Sequence, residues 1–572
     1  MKPQLILLLA LLQFACNPSR QAFHALVDDY LVWHFQSSPV EATWIGMHDH
    51  DGRFGRYTSE SMQAAAQQVR QFQIRLGQID PESLSLEDEV DYHIFENSLD
   101  LVLFRLIDLR EHTWNPMQVA QEVGFGIMLL ASQDFAPLAE RLANIVNRLK
   151  DIPRVLEEAQ TALETAPEVH TRTAIRQVNG AVNLVSEELF TLLSPLTTDQ
   201  EQALREASDT AAAALEAFSS WLESNLLPRA DKDFRLGAKL YERKLLLSLG
   251  EDITPDEILR RARSELARTQ HEMFELALPL YLQEVAGFSA ADRADTLKAI
   301  KWALDQVAED HVGRGEVLDN VTGTIVDLEA FIREHDIIAL DSRHPLEIRP
   351  TPEFQRGVSI ASLEAPGPLE KGLKTFYNVS PIPEDWDDER AESYLREYNS
   401  ISVKILSIHE ALPGHYVQLY YANRYPSVLR AVFGSGVMVE GWAHYCETMM
   451  IEAGYGGGDP RYRLVQKKWY LRGIANAILD QGIHAQGMSQ EEAMQLMVDE
   501  TFQEQSEAEL KWVRAQLTSA QLSTYFVGTT LMWALRGDME AALGDRFDLR
   551  KFHEKLLSHG SPPIKYLRKL LL

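Results

Sequence analysis

Two histidines and a glutamate lie close together within residues 407–418, which read Ser-Ile-His-Glu-Ala-Leu-Pro-Gly-His-Tyr-Val-Gln. His409 and His415 offer imidazole nitrogens, and Glu410 offers a carboxylate beside the first of them. Catalytic zinc sites combine three protein ligands of these types with a water molecule whose pKa the metal lowers, and a nearby glutamate can accept a proton from that water. These residue types therefore predict zinc-dependent hydrolysis, with Glu410 as the general base.

The spacing of the two histidines departs from the familiar helical zinc motif, in which they are four residues apart on one face. Six residues advance an undistorted helix by about 600°, so His409 and His415 would point roughly 120° apart. Pro413 has no N–H for the carbonyl of His409, and Gly414 tolerates unusual backbone angles. We therefore predict a kink just before His415 that returns it to the metal. On a straight helix Tyr416 would share a face with His409, but tyrosine is a poor zinc ligand. The simpler interpretation of the stretch is a helix whose histidines are solvated.

A second stretch rich in functional side chains follows the histidine pair. It covers residues 439–447, which read Val-Glu-Gly-Trp-Ala-His-Tyr-Cys-Glu. It resembles the Asn-Glu-Gly-Phe-Ala-x-Tyr stretch of the gluzincin aminopeptidases, in which the glutamate is the third zinc ligand. The resemblance implies that Glu440 completes the ligand set and that each chain holds one zinc ion. His444, one helical turn later, is expected to lie beside a ligand and orient it. Cys446 is expected to be a small buried residue.

The two stretches together resemble the bacterial family called domain of unknown function 885, which is regarded as zinc-peptidase-like. Less specific matches lie at residues 39–48, 480–484, 523–528 and 547–562. The resemblance therefore extends over nearly the whole chain after about the first twenty residues. The resemblance implies a gluzincin-like zinc peptidase in which His409, His415 and Glu440 hold the metal. The substrate, the end of the peptide attacked and the oligomeric state are left open.

Hydrolysis of an amide at zinc passes through a tetrahedral oxyanion, which needs a hydrogen-bond donor opposite the metal. The family pattern favours Tyr525, in the segment Ser-Thr-Tyr-Phe-Val-Gly, as this donor. His484 is a second candidate, as a donor or a substrate contact, with Asp480 one turn earlier to orient its ring. The alternative for Tyr525 and His484 is a core side chain that its neighbours satisfy.

Two arginines and two further histidines also have side chains suited to binding. Arg472 and Arg536 are candidate anchors for a substrate carboxylate, because a guanidinium pairs with a carboxylate through two hydrogen bonds. The simpler interpretation of both is a surface ion pair. His48 and His50 lie in a loop rich in His, Asp and Gly, and we expect them to be solvated rather than metal ligands.

The composition is that of a globular protein with an acidic balance. The chain has 572 residues, of which 45% are hydrophobic and 24% charged, and its formal net charge is −29. Nucleic acid is not an expected partner, because binding phosphates needs clustered Lys and Arg. The chain has two cysteines, Cys16 and Cys446. With Cys16 acylated, no intrachain disulfide can form, so we expect packing to stabilise the fold.

The N-terminus has the pattern of an export signal over residues 1–15. Lys2 is a minimal positive region, residues 5–12 are the apolar core, and Ala15 precedes Cys16. This apolar run is shorter than the roughly 20 residues that span a bilayer. We therefore expect Cys16 to be acylated and the protein to be exported, either periplasmic or held at the membrane only by its lipid anchor. The alternatives are plain cleavage after Ala15 or a buried N-terminal helix.

Helical periodicity dominates the chain beyond the N-terminus. Phe23, Leu26 and Tyr30 recur at three- and four-residue steps, as on the buried stripe of an amphipathic helix. No internal repeat, low-complexity tract or clean linker interrupts the pattern. It predicts a mainly α fold, formed by one large helical domain over residues 21–572 with a cleft, and a split near residue 240 is the alternative.

A change of pattern around residues 345–380 predicts a few short strands. Three runs rich in strand-forming residues are separated by Pro and Gly, at residues 346–352, 358–363 and 375–379. We expect a small antiparallel β-sheet that precedes the metal-binding helix, so the active-site half spans roughly residues 340–572. In gluzincins the edge strand of such a sheet holds an extended peptide, and the same role here is an analogy.

These residues predict an exported zinc metallopeptidase whose substrates are oligopeptides. A zinc amidase or esterase with a non-peptide substrate uses the same chemistry and stays open. So does a lipoprotein of the same fold that binds peptides or cell-wall fragments without turnover, although the ligands and the general base are all present. A serine or cysteine hydrolase is disfavoured, because the sequence has no Gly-x-Ser-x-Gly elbow and Cys446 is the only other cysteine if Cys16 is acylated.

Overall fold

The computed structural model describes residues 18–285, 287–288, 293–341, 346–351, 361–370, 372–383 and 386–572. The expected export signal at residues 1–15 and the expected acylation site Cys16 lie outside these residues. In the part of the chain that is described, no helix is both long enough and apolar enough to span a membrane.

Contacts within the chain divide it into two compact units, with the main boundary between Asp233 and Phe234. The first unit comprises residues up to 233 together with the segments 367–373 and 427–433, and the second comprises the rest. This boundary lies near the alternative split at about residue 240. Both units are mainly helical, as the sequence predicts. The expectation of one large helical domain over residues 21–572 stays a prediction.

The first unit is a set of packed amphipathic helices. The predicted stripe of its first helix is confirmed, because Phe23, Leu26 and Tyr30 are buried. The Tyr30 ring centroid lies 5.1 Å from that of Phe72 and 4.9 Å from that of Phe95. The helices before residue 233 are Pro18–Ser37 (α1), Pro39–Ile45 (α2), Ser59–Leu76 (α3), Leu86–Leu103 (α4), Met117–Ser132 (α5), Leu138–Ala162 (α6), Glu168–Asn183 (α7), Leu189–Leu192 (α8) and Thr198–Trp221 (α9).

The loop after α2 is packed into the first unit, which corrects the expectation that His48 is solvated. The His48 ring stacks on Phe135 with centroids 3.9 Å apart. Its two nitrogens lie 2.9 Å from carboxylate oxygens of Asp51 and Glu370. His48 is therefore a structural residue, and the sequence pattern hides this because Phe135 and Glu370 are remote along the chain. His50 stays partly exposed.

The second unit contains the sheet and the remaining described helices except Val428–Val432, and it carries both stretches singled out in the sequence. Its described residues before the sheet form four α-helices, which are Ala238–Leu249 (α10), Pro255–Glu284 (α11), Arg293–Ala308 (α12) and Val317–Glu334 (α13). The strands are Leu346–Pro350 (β1), Ala361–Glu364 (β2) and Thr375–Val379 (β3). The helices after the sheet are Asp388–Glu397 (α14), Ser400–Glu410 (α15), His415–Ala422 (α16), Val428–Val432 (α17, which belongs to the first unit), Gly436–Glu452 (α18), Pro460–Gln486 (α19), Gln490–Met494 (α20), Gln505–Leu517 (α21), Ser523–Leu543 (α22), Leu549–Leu557 (α23) and Ile564–Leu571 (α24).

The sheet is mixed, which corrects the prediction that it is antiparallel. Its strand order is β1-β3-β2, so β3 is central, and it pairs parallel with β1 and antiparallel with β2. Strand-forming residues predict where strands lie but not their direction. A parallel pair needs a long crossover connection, and here the chain between β1 and β3 supplies it. The predicted run at 375–379 matches β3, whereas residues 352 and 358–360 of the other two runs lie outside the described residues.

Glu251 connects the loop before α11 to the C-terminal helix α24. Its carboxylate accepts the backbone N–H of Ile564 at 2.5 Å and that of Lys565 at 3.1 Å. Burial raises the pKa of Glu251 to about 7, although those N–H groups and the Lys565 charge oppose the rise. The folded-state pKa of Glu251 is above the unfolded value of 4.5, so the fold favours the protonated carboxyl group. The stabilising contribution of Glu251 is therefore complete only below pH 4.5. Its contribution is lost as the pH rises through about 7.

The Glu251→Gln variant tests this linkage, because Gln has a similar size and no titration. We expect the free energy of unfolding of the parent protein, measured relative to the variant, to fall by on the order of 2 kcal/mol between pH 5 and pH 8. Urea unfolding midpoints at several pH values measure the difference. Parallel pH dependences for the two proteins would show that Glu251 titrates as it does in the unfolded chain.

Candidate metal centre

The helix that carries His409 ends one residue later, and a new helix begins at His415. The Gly414 N–H bonds the Ile408 carbonyl at 3.0 Å between the two helices. A Cβ on Gly414 would lie 1.8 Å from the carbonyl oxygen of His409, so only glycine fits here. The predicted break before His415 is therefore present, and the ring centroids of the two histidines are 4.8 Å apart.

His409, His415 and Glu440 form a group whose ligand atoms all lie within 4.8 Å of one another. The Oε2 atom of Glu440 is 3.7 Å from Nε2 of each histidine. This oxygen is buried and has no hydrogen-bond partner among the described residues. A buried carboxylate oxygen without a partner is costly, and a cation held by the three side chains would satisfy it.

The separations within this group suit a metal better than hydrogen bonds. N–H···O bonds seldom exceed about 3.2 Å, so the distances of 3.7 Å from Glu440 Oε2 to the imidazoles are too long. Ligand atoms about 2.0–2.1 Å from a tetrahedral zinc ion are about 3.3–3.4 Å from one another. Small side-chain shifts would reach that spacing. The donor set therefore fits a zinc ion with three protein ligands and one open position.

Glu447 fixes the orientation of the His409 ring. Its Oε1 atom lies 2.8 Å from Nδ1 of His409 and 3.0 Å from Nδ1 of His444. With Nδ1 engaged, Nε2 of His409 remains for the metal. His444 lies next to His409, with ring centroids 4.8 Å apart, and its role beside a ligand stays a prediction. The role of Glu447 was missed, although Glu440, His444 and Glu447 share one face of α18 at positions i, i+4 and i+7.

The charges around the group set different protonation states for its members. Burial raises the pKa of Glu447, but His444 and His409 outweigh it and bring the value down to about 2. Burial also raises the pKa of Glu440. For His415, burial and the charges of His409 and His444 hold the pKa well below its usual value. His415 is therefore neutral near pH 7, which is the form that binds a metal.

Glu410 lies beside the ligand group without belonging to it. Burial raises its pKa to about 7, and the charges of Glu440 and Glu447 add to the rise, whereas His409 opposes it. The backbone N–H of Leu363, in β2, also bonds this carboxyl group. The sheet therefore helps to position Glu410. A carboxyl group with a pKa near neutrality can accept and return a proton at working pH.

Tyr525 reaches the same site from α22. Its ring packs edge-to-face on His444 with centroids 5.7 Å apart. Its hydroxyl accepts a hydrogen bond from Arg514 Nη2 at 3.0 Å and another from Gln521 Nε2 at 3.2 Å. Both bonds use lone pairs of the phenol oxygen, so the phenolic proton can be donated elsewhere. Burial and the Glu440 charge raise the pKa of Tyr525, so the hydroxyl keeps that proton.

A close crossing of α18 and α22 brings Glu440 and Tyr525 together. A Cβ on Gly441 would lie 2.6 Å from the carbonyl carbon of Gly528, and a Cβ on Gly528 would lie 2.3 Å from the carbonyl oxygen of Val437. Only glycines allow the two helix backbones to approach this closely. The glycines beside the two site residues thus determine the packing that assembles the site.

In the described chain, His484 hydrogen-bonds and stacks with residues outside this group, so its contacts do not support the predicted catalytic role. Its Nε2 is 2.8 Å from the carbonyl oxygen of Ala515 and 2.7 Å from that of Thr518. Its ring stacks on Tyr241. Asp480, which was expected to orient the ring, accepts hydrogen bonds from the backbone N–H groups of residues 520 and 523 instead. His484 is thus a buried core side chain, close to the alternative that the sequence left open, although its Nδ1 has no hydrogen-bond partner among the described residues.

Arg472 and Arg536 both form ion pairs, as the simpler interpretation predicts, but both side chains are mostly buried rather than on the surface. Arg472 lies between Glu397 and Glu507, with N···O distances of 3.1 Å to each. Arg536 pairs with two other glutamates, at 3.4 Å and 2.8 Å. Cys446 is fully buried, and its sulfur contacts the backbone of the helix break at 3.8 Å. As expected, it is a small buried residue.

Solved structures resemble the chain along its whole length, whereas no curated protein matches it. A candidate lipoprotein of unknown function from Shewanella oneidensis is 35% identical, with a TM-score of 0.82 over 97% of this chain and 100% of that one. A candidate lipoprotein from Colwellia psychrerythraea shares the fold at 18% identity, with a TM-score of 0.77 over 97% of this chain and 99% of that one. The family described as bacterial protein of unknown function (DUF885) matches residues 39–571. That range contains every residue of the candidate site, and the chain therefore belongs to the DUF885 family.

Proposed function

We propose that the protein is a zinc-dependent hydrolase that cleaves amide bonds in oligopeptides. The observation that carries the proposal is the buried, unpartnered oxygen of Glu440, which lies between the imidazoles of His409 and His415. When bound there, a zinc ion supplies Lewis-acid chemistry that activates water and polarises a carbonyl group. Three protein ligands imply one ion per chain.

The residues around the ligands supply proton transfer and charge stabilisation. Glu410 accepts a proton from the attacking water and returns it to the departing amine, a task that suits its pKa of about 7. Tyr525 donates its phenolic proton in a hydrogen bond to the oxyanion. Glu447 keeps the ring of His409 oriented through the bond to Nδ1.

The position of the sheet favours a peptide over a small non-peptide amide or ester. Strand β2 lies at the edge of the described sheet, and the N–H of its residue Leu363 bonds Glu410. An edge strand can pair with the backbone of an extended peptide. A peptide bound along β2 would lie next to Glu410, so we expect the substrate cleft to follow this strand.

We also propose that the protein is exported and carries a lipid on Cys16. Two relatives of known structure are candidate lipoproteins, and Cys16 follows a short apolar run with a small residue before it. Such an anchor would hold the hydrolase at the membrane surface on the periplasmic side. Mass spectrometry of the N-terminal peptide tests this, and an unmodified chain that begins at Cys16 would contradict it.

The metal content of the purified protein tests the ligand assignment. We expect about one zinc ion per chain in the parent protein. The ion should be lost in His415→Ala, which removes a ligand, and kept in Tyr416→Phe, which alters the next side chain without removing one. Elemental analysis after dialysis measures all three proteins. A parent protein without zinc after reconstitution would contradict the hydrolase proposal, and zinc retained in His415→Ala would contradict the ligand set.

A further inference from the structure

Arg514 is a positively charged side chain beside the site, and its hydrogen-bonding partners are neutral. It lies on α21 and is exposed. Its Nη2 atom donates to the Tyr525 hydroxyl at 3.0 Å and to Oε1 of Gln521 at 3.0 Å. A guanidinium can only donate, so Gln521 must turn its oxygen to Arg514 and its nitrogen to Tyr525. Both bonds use Nη2, so they leave the hydrogens on Nε and Nη1 for a ligand.

Two other cations of the second unit differ from Arg514, because carboxylates neutralise them. Arg472 is held between Glu397 and Glu507, and Lys468 lies 2.7 Å from Glu397. Among the described residues, no carboxylate lies within ion-pair distance of Arg514. The chain has 84 acidic and 55 basic residues, so a carboxylate partner would be easy to supply at this position. An exposed arginine left without one is suited to an external anion.

The charge of Arg514 acts on the residues of the site. Burial and the Glu440 charge raise the pKa of Tyr525, and Arg514 opposes them. Arg514 also lowers the pKa of Glu440, against the effect of burial. The geometry places the guanidinium at the edge of the site, because it bonds the hydroxyl of Tyr525, whose ring packs on His444.

We propose that Arg514 binds a carboxylate of the substrate close to the scissile amide, so that the preferred substrates are short peptides or N-acyl amino acids with a free carboxylate. This inference rests on the proposed hydrolase function and adds the substrate class. It moves the carboxylate-binding role from Arg472 and Arg536, which are already paired, to an arginine whose charge is available. The carboxylate is either the C-terminal group or an acidic side chain, and both have the same chemistry.

Ligand binding tests the inference without requiring turnover. The probes are an N-acetyl amino acid, its C-terminal amide, and the amide of an N-acetyl acidic amino acid, titrated calorimetrically into the parent protein and Arg514→Gln. We expect the parent to bind the acid about 10- to 100-fold more tightly than the neutral amide, as for a charge-assisted hydrogen bond. This preference should disappear in Arg514→Gln. Tight binding of the amide with an acidic side chain would identify the side chain as the source of the carboxylate.

The matched control is Lys551→Gln, which removes one positive charge from an exposed position on α23. It should keep the preference for the acid, because Lys551 lies outside the site. Equal dissociation constants for all three probes in the parent protein would overturn the inference. So would a preference that survives in Arg514→Gln.

Kinetics distinguish a failure of this inference from a failure of the proposed function. With matched peptide acids and amides, Arg514→Gln should lower kcat/KM for the acid about 10- to 100-fold more than for the amide, mainly through KM. An equal loss of kcat for both substrates would mean that Arg514 acts only by positioning Tyr525, and the hydrolase assignment would stand. If the zinc-loaded protein binds the acid more tightly than the amide but hydrolyses neither, the hydrolase assignment is contradicted and the carboxylate-binding site stands.

Discussion

Replacing Glu410 with Gln is expected to lower kcat by about 10²- to 10⁴-fold, the usual contribution of a general base. The amide keeps the size of the side chain and can still accept the N–H bond from Leu363, but it cannot take a proton. Zinc should remain at about one ion per chain, because Glu410 is not one of the three residues grouped as ligands. Steady-state kinetics and metal analysis on the same preparation measure both quantities.

A suitable control for Glu410→Gln is Glu509→Gln, which makes the same chemical change at an exposed position on α21. It should keep both zinc and turnover. A Glu410→Gln variant with full zinc and full activity would remove Glu410 from the mechanism. A variant that loses its zinc would instead show that Glu410 takes part in holding the metal.

Replacing Gly528 with Ala is expected to destabilise the second unit by on the order of 3 kcal/mol, at the upper end of the cost of overpacking. The added Cβ would lie 2.3 Å from the carbonyl oxygen of Val437, and a helix backbone cannot move aside as a flexible side chain can. Separation of α18 from α22 would also move Tyr525 away from Glu440. Urea unfolding monitored by circular dichroism measures the change in stability.

Gly537 offers a control within the same helix. It is exposed, and a Cβ there would meet no atom within 4 Å. Gly537→Ala should therefore stabilise the protein by about 0.5–1 kcal/mol, because Ala is the better helix former. If Gly528→Ala and Gly537→Ala shift the unfolding midpoint equally, helix propensity alone explains both shifts. The crossing of α18 and α22 would then be less tight than the distances indicate.

Local backbone chemistry made the central part of the site predictable. Pro413 and Gly414 cannot continue a regular helix, so the break that brings His415 back towards His409 follows from the residues between them. The resemblance of residues 439–447 to a known ligand helix supplied Glu440. The mainly α fold was also predictable, because amphipathic periodicity is a property of each helix alone.

Long-range packing decided the rest. The direction of β1 relative to β3 depends on how the chain crosses between them, and strand propensity carries no information about it. The family pattern favours Tyr525 over His484 as the donor, but only the crossing of α18 with α22 brings Tyr525 to the site.

The arginines show the same division between sequence and tertiary structure. Any of Arg472, Arg514 and Arg536 has the chemistry to bind a carboxylate, but the partners that neutralise two of them come from distant parts of the chain. The sequence by itself determined which residues can do chemistry and where the helix around them breaks, because both depend on residue type and on the local backbone. Only the tertiary structure decided which of those residues face one another, because side-chain orientation and charge compensation arise from contacts between segments that are remote along the chain.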